Sequence, residues 1–297
     1  MFVSSILLSI CGGWRFMSRI WFLHLRFLLS IVIGIGHPWC YENPYCGPSR
    51  WKVWYKKCGG SRQSPINIMT SQTQHDWQLG PMTIWGPLGL VPATANNNGH
   101  SVSVKLAFRY RLRGAGLPGR FYLDSFHFHF GKPGLNEHGS EHLINGRSFP
   151  LEMHLVFYNG KYYRFEYAKR QQNGLAVVAV LYKFGRENLG LESLMSNLPS
   201  LKYRGQSSPV SVDLAEFLPH GRQNYYRYKG SLTTPPCTQN VLWTVLEEPA
   251  ELSPLQYKAL SSSFFMTGLN EKPPHRLQNN YRPPQPLNGR TVSRYKE

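Results

Sequence analysis

Apolar and polar residues alternate along several short stretches of this chain, the period of a half-buried β-strand. Phe121–Phe130 and Leu151–Tyr158 alternate most clearly, and Ser101–Tyr110 is a further strand candidate bounded by Asn and Gly clusters. Ala176–Lys183 is an unbroken apolar run, the pattern of a strand buried on both faces. Glu187–Asn197 and Pro254–Phe264 are the best helix candidates. With 22 prolines and 27 glycines interrupting the rest, few long helices are expected. The pattern predicts a mostly β (α+β) fold: one domain with a large, mainly antiparallel, twisted central sheet and short surface helices. No repeat and no Gly/Ser linker divides the chain. Residues 37–297 therefore read as one domain, including the Pro- and Asn-rich tail from Glu271, whose aromatic and apolar residues predict packing.

The first 36 residues stand apart. They hold no acidic residue, three arginines (Arg15, Arg19, Arg26) and an apolar run from Phe27 to Ile35, with Gly34 and Gly36 in the small-x-small pattern of a cleavage site. This predicts a signal peptide, starting at Met1 or at Met17. The competing reading is a retained transmembrane anchor, but the apolar stretch is broken by Arg26 and is short for a bilayer span, which favours cleavage, with no membrane span expected afterwards. Four cysteines follow the leader (Cys40, Cys46, Cys58 and Cys237), an even number that suggests two disulfides and a secreted protein. Spacing alone leaves three pairings open.

Charge adds little. The whole chain carries +17, and without the three leader arginines 30 − 16 leaves +14. The cations are scattered with no run of five, so they read as a basic solvated surface with some attraction to polyanions, not as a nucleic-acid site.

Chemistry concentrates in Phe126-His127-Phe128-His129-Phe130. On a strand, His127 and His129 share a face, with backbones about 6.6 Å apart, while the phenylalanines face a core. Alone, such a pair is as readily two satisfied core histidines. Leu151–Val156 strengthens it by placing Glu152, His154 and Val156 on one face, and the 25 residues separating His129 from His154 suit a strand that returns to pair. Three neutral imidazoles and an open fourth position fit a catalytic Zn2+. The second ring N–H of His154 is within reach of Glu152, which would orient it. Imidazole also suits copper, iron and nickel; an iron site of the His/His/carboxylate kind needs Glu152 as ligand, a possible but less natural geometry beside His154, so zinc is favoured. His138 and His142 read as non-ligands.

These residues, with Gly139-Ser140-Glu141-His142, Gln63-Ser64-Pro65-Ile66-Asn67-Ile68, Asn97-Asn98-Gly99-His100, Gly230-Ser231-Leu232-Thr233-Thr234-Pro235-Pro236 and Arg282-Pro283-Pro284-Gln285-Pro286-Leu287, resemble the alpha-class carbonic anhydrases in order and over residues 39 to about 294. The resemblance implies reversible hydration of carbon dioxide to bicarbonate and a proton, with zinc on His127, His129 and His154. It implies Thr233 and Glu141 as an orienting pair and Val156, Val177, Leu232, Val241 and Trp243 as an apolar substrate wall. Thr234, Asn98 and Tyr41 would hold waters, His100 would shuttle the proton, and the carbonyl of Asn280 would orient His129. The cysteines resemble those of the extracellular, membrane-anchored branch, which implies Cys40–Cys46 and Cys58–Cys237.

Departures are few. Ser125 stands where the family commonly has a glutamine bonded to the first ligand, with Asp124 before it as a substitute, and Ser103 stands where a longer amide is frequent. A catalytically weakened, secreted binding protein of the same family is the alternative reading. The chain reaches Glu297 without a lipid-anchor signal, so a freely secreted protein or a truncated sequence is expected.

Overall fold

The computed structural model describes residues 38–134 and 138–297. The leader expectation lies outside them.

The alternating stretches fold into one sheet of 13 strands. From one edge its order is Ser207–Val212, Val91–Asn97, Val102–Leu106, Phe121–Phe130, Leu151–Asn159, Leu175–Phe184, Val241–Leu246, Tyr225–Gly230, Ser293–Tyr295 and Gln74–His75. Most pairs are antiparallel; Leu175–Phe184 runs parallel to Val241–Leu246. That apolar strand lies between two neighbours deep in the sheet, so both its faces need apolar side chains, as its composition indicated. One face of the sheet carries the larger core, including Phe126, Phe128 and Phe130. The other carries a smaller core of Val156, Val177, Val241 and Trp243.

Strict alternation fails at one place. Leu123 pairs with Phe157 but Ser125 with Val156, leaving Asp124 as an extra, bulged residue. Uninterrupted alternation would put Phe121 and Leu123 on the histidine face. The bulge resets the phase, so Phe121, Leu123 and Phe126 all join the larger core, while Asp124 and Ser125 both turn toward a cleft.

The two expected helices form as Leu189–Met195 and Pro254–Ser263, the second opened by a Ser253/Gln256 capping box with Pro254 in its first turn. The Ser101–Tyr110 expectation is too long. Its strand ends at Leu106: Ala107 still donates its N–H to the carbonyl of Pro92 opposite, but proline has no N–H to return the bond and the ladder stops there. The tail packs, burying Leu277, Asn280, Arg282 and Val292. Disulfides join Cys40 to Cys46 and Cys58 to Cys237. Among the described residues no helix is long and apolar enough to cross a membrane.

Candidate metal centre

His127 and His154 are directly paired across the adjacent strands Phe121–Phe130 and Leu151–Asn159, and His129 lies two residues along. The three rings converge, with one nitrogen from each within 4.8 Å of the others.

Their hydrogen bonds fix which nitrogens carry protons. His129 Nδ1 lies 2.6 Å from the Asn280 carbonyl oxygen, which only accepts, so Nδ1 is the donor. Asn280 is itself pinned: its side-chain oxygen accepts from the Phe130 N–H and its amide donates to the Phe128 and His100 carbonyls. His154 Nε2 lies 2.6 Å from Glu152 Oε1 and donates to that carboxylate. The remaining nitrogens, His129 Nε2 and His154 Nδ1, are therefore both lone-pair acceptors, and they face one another at 3.1 Å. Burial keeps the rings neutral: it lowers the pKa of His129 to about 4 and also lowers those of His127 and His154. Two buried acceptors at that distance repel unless a cation lies between them. Tetrahedral zinc with Zn–N bonds of about 2.0–2.1 Å holds its nitrogens about 3.3–3.4 Å apart, close to what is seen. The donor set fits a metal ion.

Glu152 is the hub behind His154. Burial alone would raise its pKa, but the imidazoles of His142 and His154 outweigh that and hold it well below the usual carboxylate range. Oε1 accepts from both rings at 2.6 Å, and Oε2 accepts from the Glu141 and His142 N–H groups. His142 is thus no ligand but a buried brace, bonded through Nε2 to the Tyr228 hydroxyl, which reaches Ser64 Oγ. The His142–Glu152–His154 cluster also has metal-like spacing, but two N–H donors on one carboxylate oxygen account for it.

Glu141 is fully buried, not the solvated loop carboxylate that it would be in isolation. Desolvation raises its pKa to about 7, opposed by nearby His154, by Thr233 and by the Arg282 N–H on Oε1. The Thr233 side chain pulls on the carboxyl without closing a full bond on Oε2, which is buried, lacks a partner and lies 3.5 Å from His129 Nε2.

The three imidazoles differ in support. His127 is half-buried, lines the cleft, and its ring has no hydrogen-bond partner among the described residues. Ser125 does not supply one: its hydroxyl donates to Asp124 Oδ2 at 3.1 Å.

The cleft has a volume of about 590 Å³. Val156, Leu232 and Phe165 form its apolar side, and Asn98, His100, Ser103, Asp124, Ser125 and Thr234 form its polar side. Val177, Val241 and Trp243 pack behind Val156 and Leu232. Tyr41 lines the cleft with its hydroxyl buried and unpartnered. Asn98 Oδ1 is engaged in a turn, accepting the His100 and Ser101 N–H groups at 2.8 Å. His100 stacks on Trp39, with centroids 3.8 Å apart and planes at 12°. Burial, aided by Arg204, lowers its pKa to about 4. The partners that local pattern did not reveal are Trp39, His142, Tyr228 and Arg282. Each acts through a contact distant in sequence; the quoted motifs contain His142 and Arg282 but do not say that they are buried.

Comparison with known proteins agrees with this centre. Residues 46–296 match the model of the eukaryotic-type carbonic anhydrase family. The chain is 37% identical to human carbonic anhydrase 12, over 86% of this chain and 73% of that protein. It is 36% identical to carbonic anhydrase 6 of Bos taurus, over 90% and 83%, and 38% identical to carbonic anhydrase 15 of Mus musculus, over 91% and 89%. A family match across nearly the whole described chain, joined to three imidazoles converging on one point, makes this protein a member of the eukaryotic-type carbonic anhydrase family.

Proposed function

We propose that the protein catalyses the reversible hydration of carbon dioxide to bicarbonate and a proton, with zinc held by His127, His129 and His154. The observation that carries this is the facing pair of unprotonated nitrogens on His129 and His154, with His127 beside them and a cleft in front.

Carbonic anhydrase is itself the reference case for the chemistry that zinc brings, lowering the pKa of a bound water to about 7. The chain's own groups do the rest. Asn280 and Glu152 fix the tautomers of two ligands, so their lone pairs are aimed before anything binds. With its hydroxyl turned to close the open bond to Glu141 Oε2, Thr233 would be left with its oxygen as an acceptor, and it would hold the nucleophile's proton so that a lone pair faces the substrate. The Arg282 N–H on Oε1 favours the ionised Glu141 that this requires. Val156, Val177, Leu232, Val241 and Trp243 offer carbon dioxide, which has no net dipole, an apolar wall. Thr234, Asn98 and Tyr41 order water on the way out. Lys57, Lys169 and Arg170 at the cleft favour an anionic product. Residues 1–36 would direct export as a cleaved signal peptide, and the domain proper would be 37–297.

Metal analysis beside stopped-flow hydration tests this. About one zinc per chain and fast, sulfonamide-sensitive hydration are expected. Stoichiometric zinc with no hydration would instead make the protein a binding member of the family.

His100 would pass the proton to solvent. With its pKa lowered to about 4, taking a proton from a donor near 7 runs uphill by about three powers of ten, so the stacked ring is a slow relay. His100→Ala should lower turnover in weak buffer, and added imidazole should restore it; turnover insensitive to buffer in both proteins removes His100 from the path.

Ser125→Gln supplies the missing partner for the ring of His127. Zinc affinity should rise about 10–100-fold, read by competition with a chelator; an unchanged constant would mean that Asp124 or solvent already supports the ring.

A further inference from the structure

From Trp77 to Leu123 the chain has no acidic residue, yet it holds Lys105, Arg109, Arg111, Arg113 and Arg120. The structure gathers part of this stretch into one exposed tip at a sheet edge. Strand Met82–Trp85 pairs with Arg111–Gly114, Trp85 opposite Arg111, and among the described residues no other strand pairs with it. The loop after Trp85 is tied to Tyr110, whose Oη donates to the Pro87 carbonyl at 2.9 Å, and where that loop enters strand Val91–Asn97 the Ala107 N–H donates to the Pro92 carbonyl at 2.9 Å. Four large apolar side chains stand exposed there: Leu88 (91%), Leu90 (70%), Trp85 (61%) and Phe108 (51%). Cations surround them. The Arg111 guanidinium lies over the Trp85 ring at 5.2 Å, Arg109 lies over Tyr122 at 5.7 Å, and Lys105 and Arg113 are exposed. Among the described residues none of the five cations has an ion-pair partner; the ion pairs between cations and carboxylates lie elsewhere.

We propose that this tip docks the protein peripherally on an anionic lipid surface. Trp85, Leu88, Leu90 and Phe108 enter the boundary between headgroups and acyl chains, and Arg109, Arg111 and Arg113 meet lipid phosphates. Charge complementarity and apolar exposure select this occupant together. A sulfated polysaccharide would satisfy the cations but offers no apolar phase for four large side chains. A second copy would cover the apolar tip but would bring like charges together with no acidic residue to offset them. None of the tip residues lines the cleft, so the inference stands apart from the proposed chemistry.

The full chain is sedimented with phosphatidylcholine vesicles with and without phosphatidylserine, and is chromatographed on heparin. Binding to the anionic vesicles alone, weakened by salt, is expected. Arg109→Ala and Arg113→Ala should each weaken it about fivefold. Leu88→Ser with Leu90→Ser should weaken it about tenfold or more at unchanged charge. Trp85 should contribute an emission blue shift on the vesicles that Trp85→Phe removes while binding persists. Unchanged thermal midpoints show that the variants fold. No binding to anionic vesicles overturns the proposal. So does vesicle binding that depends on the arginines but ignores the Leu88/Leu90 double substitution, which would be charge attraction to any polyanion. A concentration-dependent dimer that the double substitution dissolves would make the tip a self-association surface and would also overturn it.

Discussion

His127→Ala is expected to reduce hydration to the uncatalysed background and to weaken zinc binding severely, while leaving the fold standing. The three ligands are not equivalent targets. His129 is bonded to a carbonyl that is itself anchored, and His154 shares the buried Glu152 carboxylate with His142. Removing His154 would strip one of the two imidazoles that keep Glu152 ionised in the interior, so folding would suffer together with chemistry. His127 is half-buried, its ring has no hydrogen-bond partner among the described residues, and its truncation opens into the cleft. Two imidazoles remain, too few for a site that needs three protein donors. Without the ion the pKa of water returns from about 7 to about 15.7, and no side chain lining the cleft supplies a comparable nucleophile. Zinc per chain after dialysis, far-UV circular dichroism and stopped-flow hydration on the same sample check this. A folded, zinc-poor His127→Ala protein that still hydrates carbon dioxide quickly would sink the triad as the working site.

The convergence of these ligands was legible because it depends on strand periodicity. His127, His129 and His154 follow from two alternating stretches and the distance separating them, and both stretches form strands that pair with His127 opposite His154. The apolar run predicted a doubly buried strand for the same reason. What periodicity does not encode is a change of phase. The bulge at Asp124 exists because Leu123 and Phe126 both belong to the core, a fact about three-dimensional packing that adjacent residues do not announce. It turns two polar side chains toward the cleft and leaves Ser125 bonded to Asp124 and not to His127. Nor does a motif reveal burial. His142 reads from the sequence only as a non-ligand, and nothing there shows that its ring bridges Glu152 and Tyr228. The proton affinity of His100 depends on its burial, in a place where Trp39, 61 positions earlier by number, stacks on its ring, and on Arg204, whose charge lowers it further. The histidine strands and the apolar run formed as their periodicity indicated, the Ser101–Tyr110 stretch only in part, and what arrives from elsewhere in the chain needed the structure.

Arg282 is the strongest case of the second kind, and Arg282→Met is expected to destabilise the protein by about 3–5 kcal/mol. Its side chain is 2% exposed. The guanidinium donates to Gln63 Oε1 and the Ser64 carbonyl at 2.8 Å and to the Cys58 carbonyl at 3.1 Å, and it lies over the Trp51 ring. Those acceptors belong to the irregular segment after the first disulfide, and Gln63 in turn donates to the Cys237 carbonyl. One side chain therefore ties the tail to the lead-in and to the Cys58–Cys237 region. Methionine matches much of the volume and avoids burying a cation, which would offset part of the loss. It leaves three interior acceptors without a donor, at about 1–3 kcal/mol each, and it has no planar fork with which to replace them. Lysine should rescue little, because a single ammonium does not reach three acceptors set by guanidinium geometry. The backbone N–H of Arg282 also donates to Glu141 Oε1, so loosening this segment should reach the metal centre as well as the fold. Urea unfolding of the disulfide-intact proteins measures the effect as a lower midpoint at unchanged slope. A midpoint within about 1 kcal/mol of the parent would mean that the lead-in is held by its disulfides and Trp51 alone.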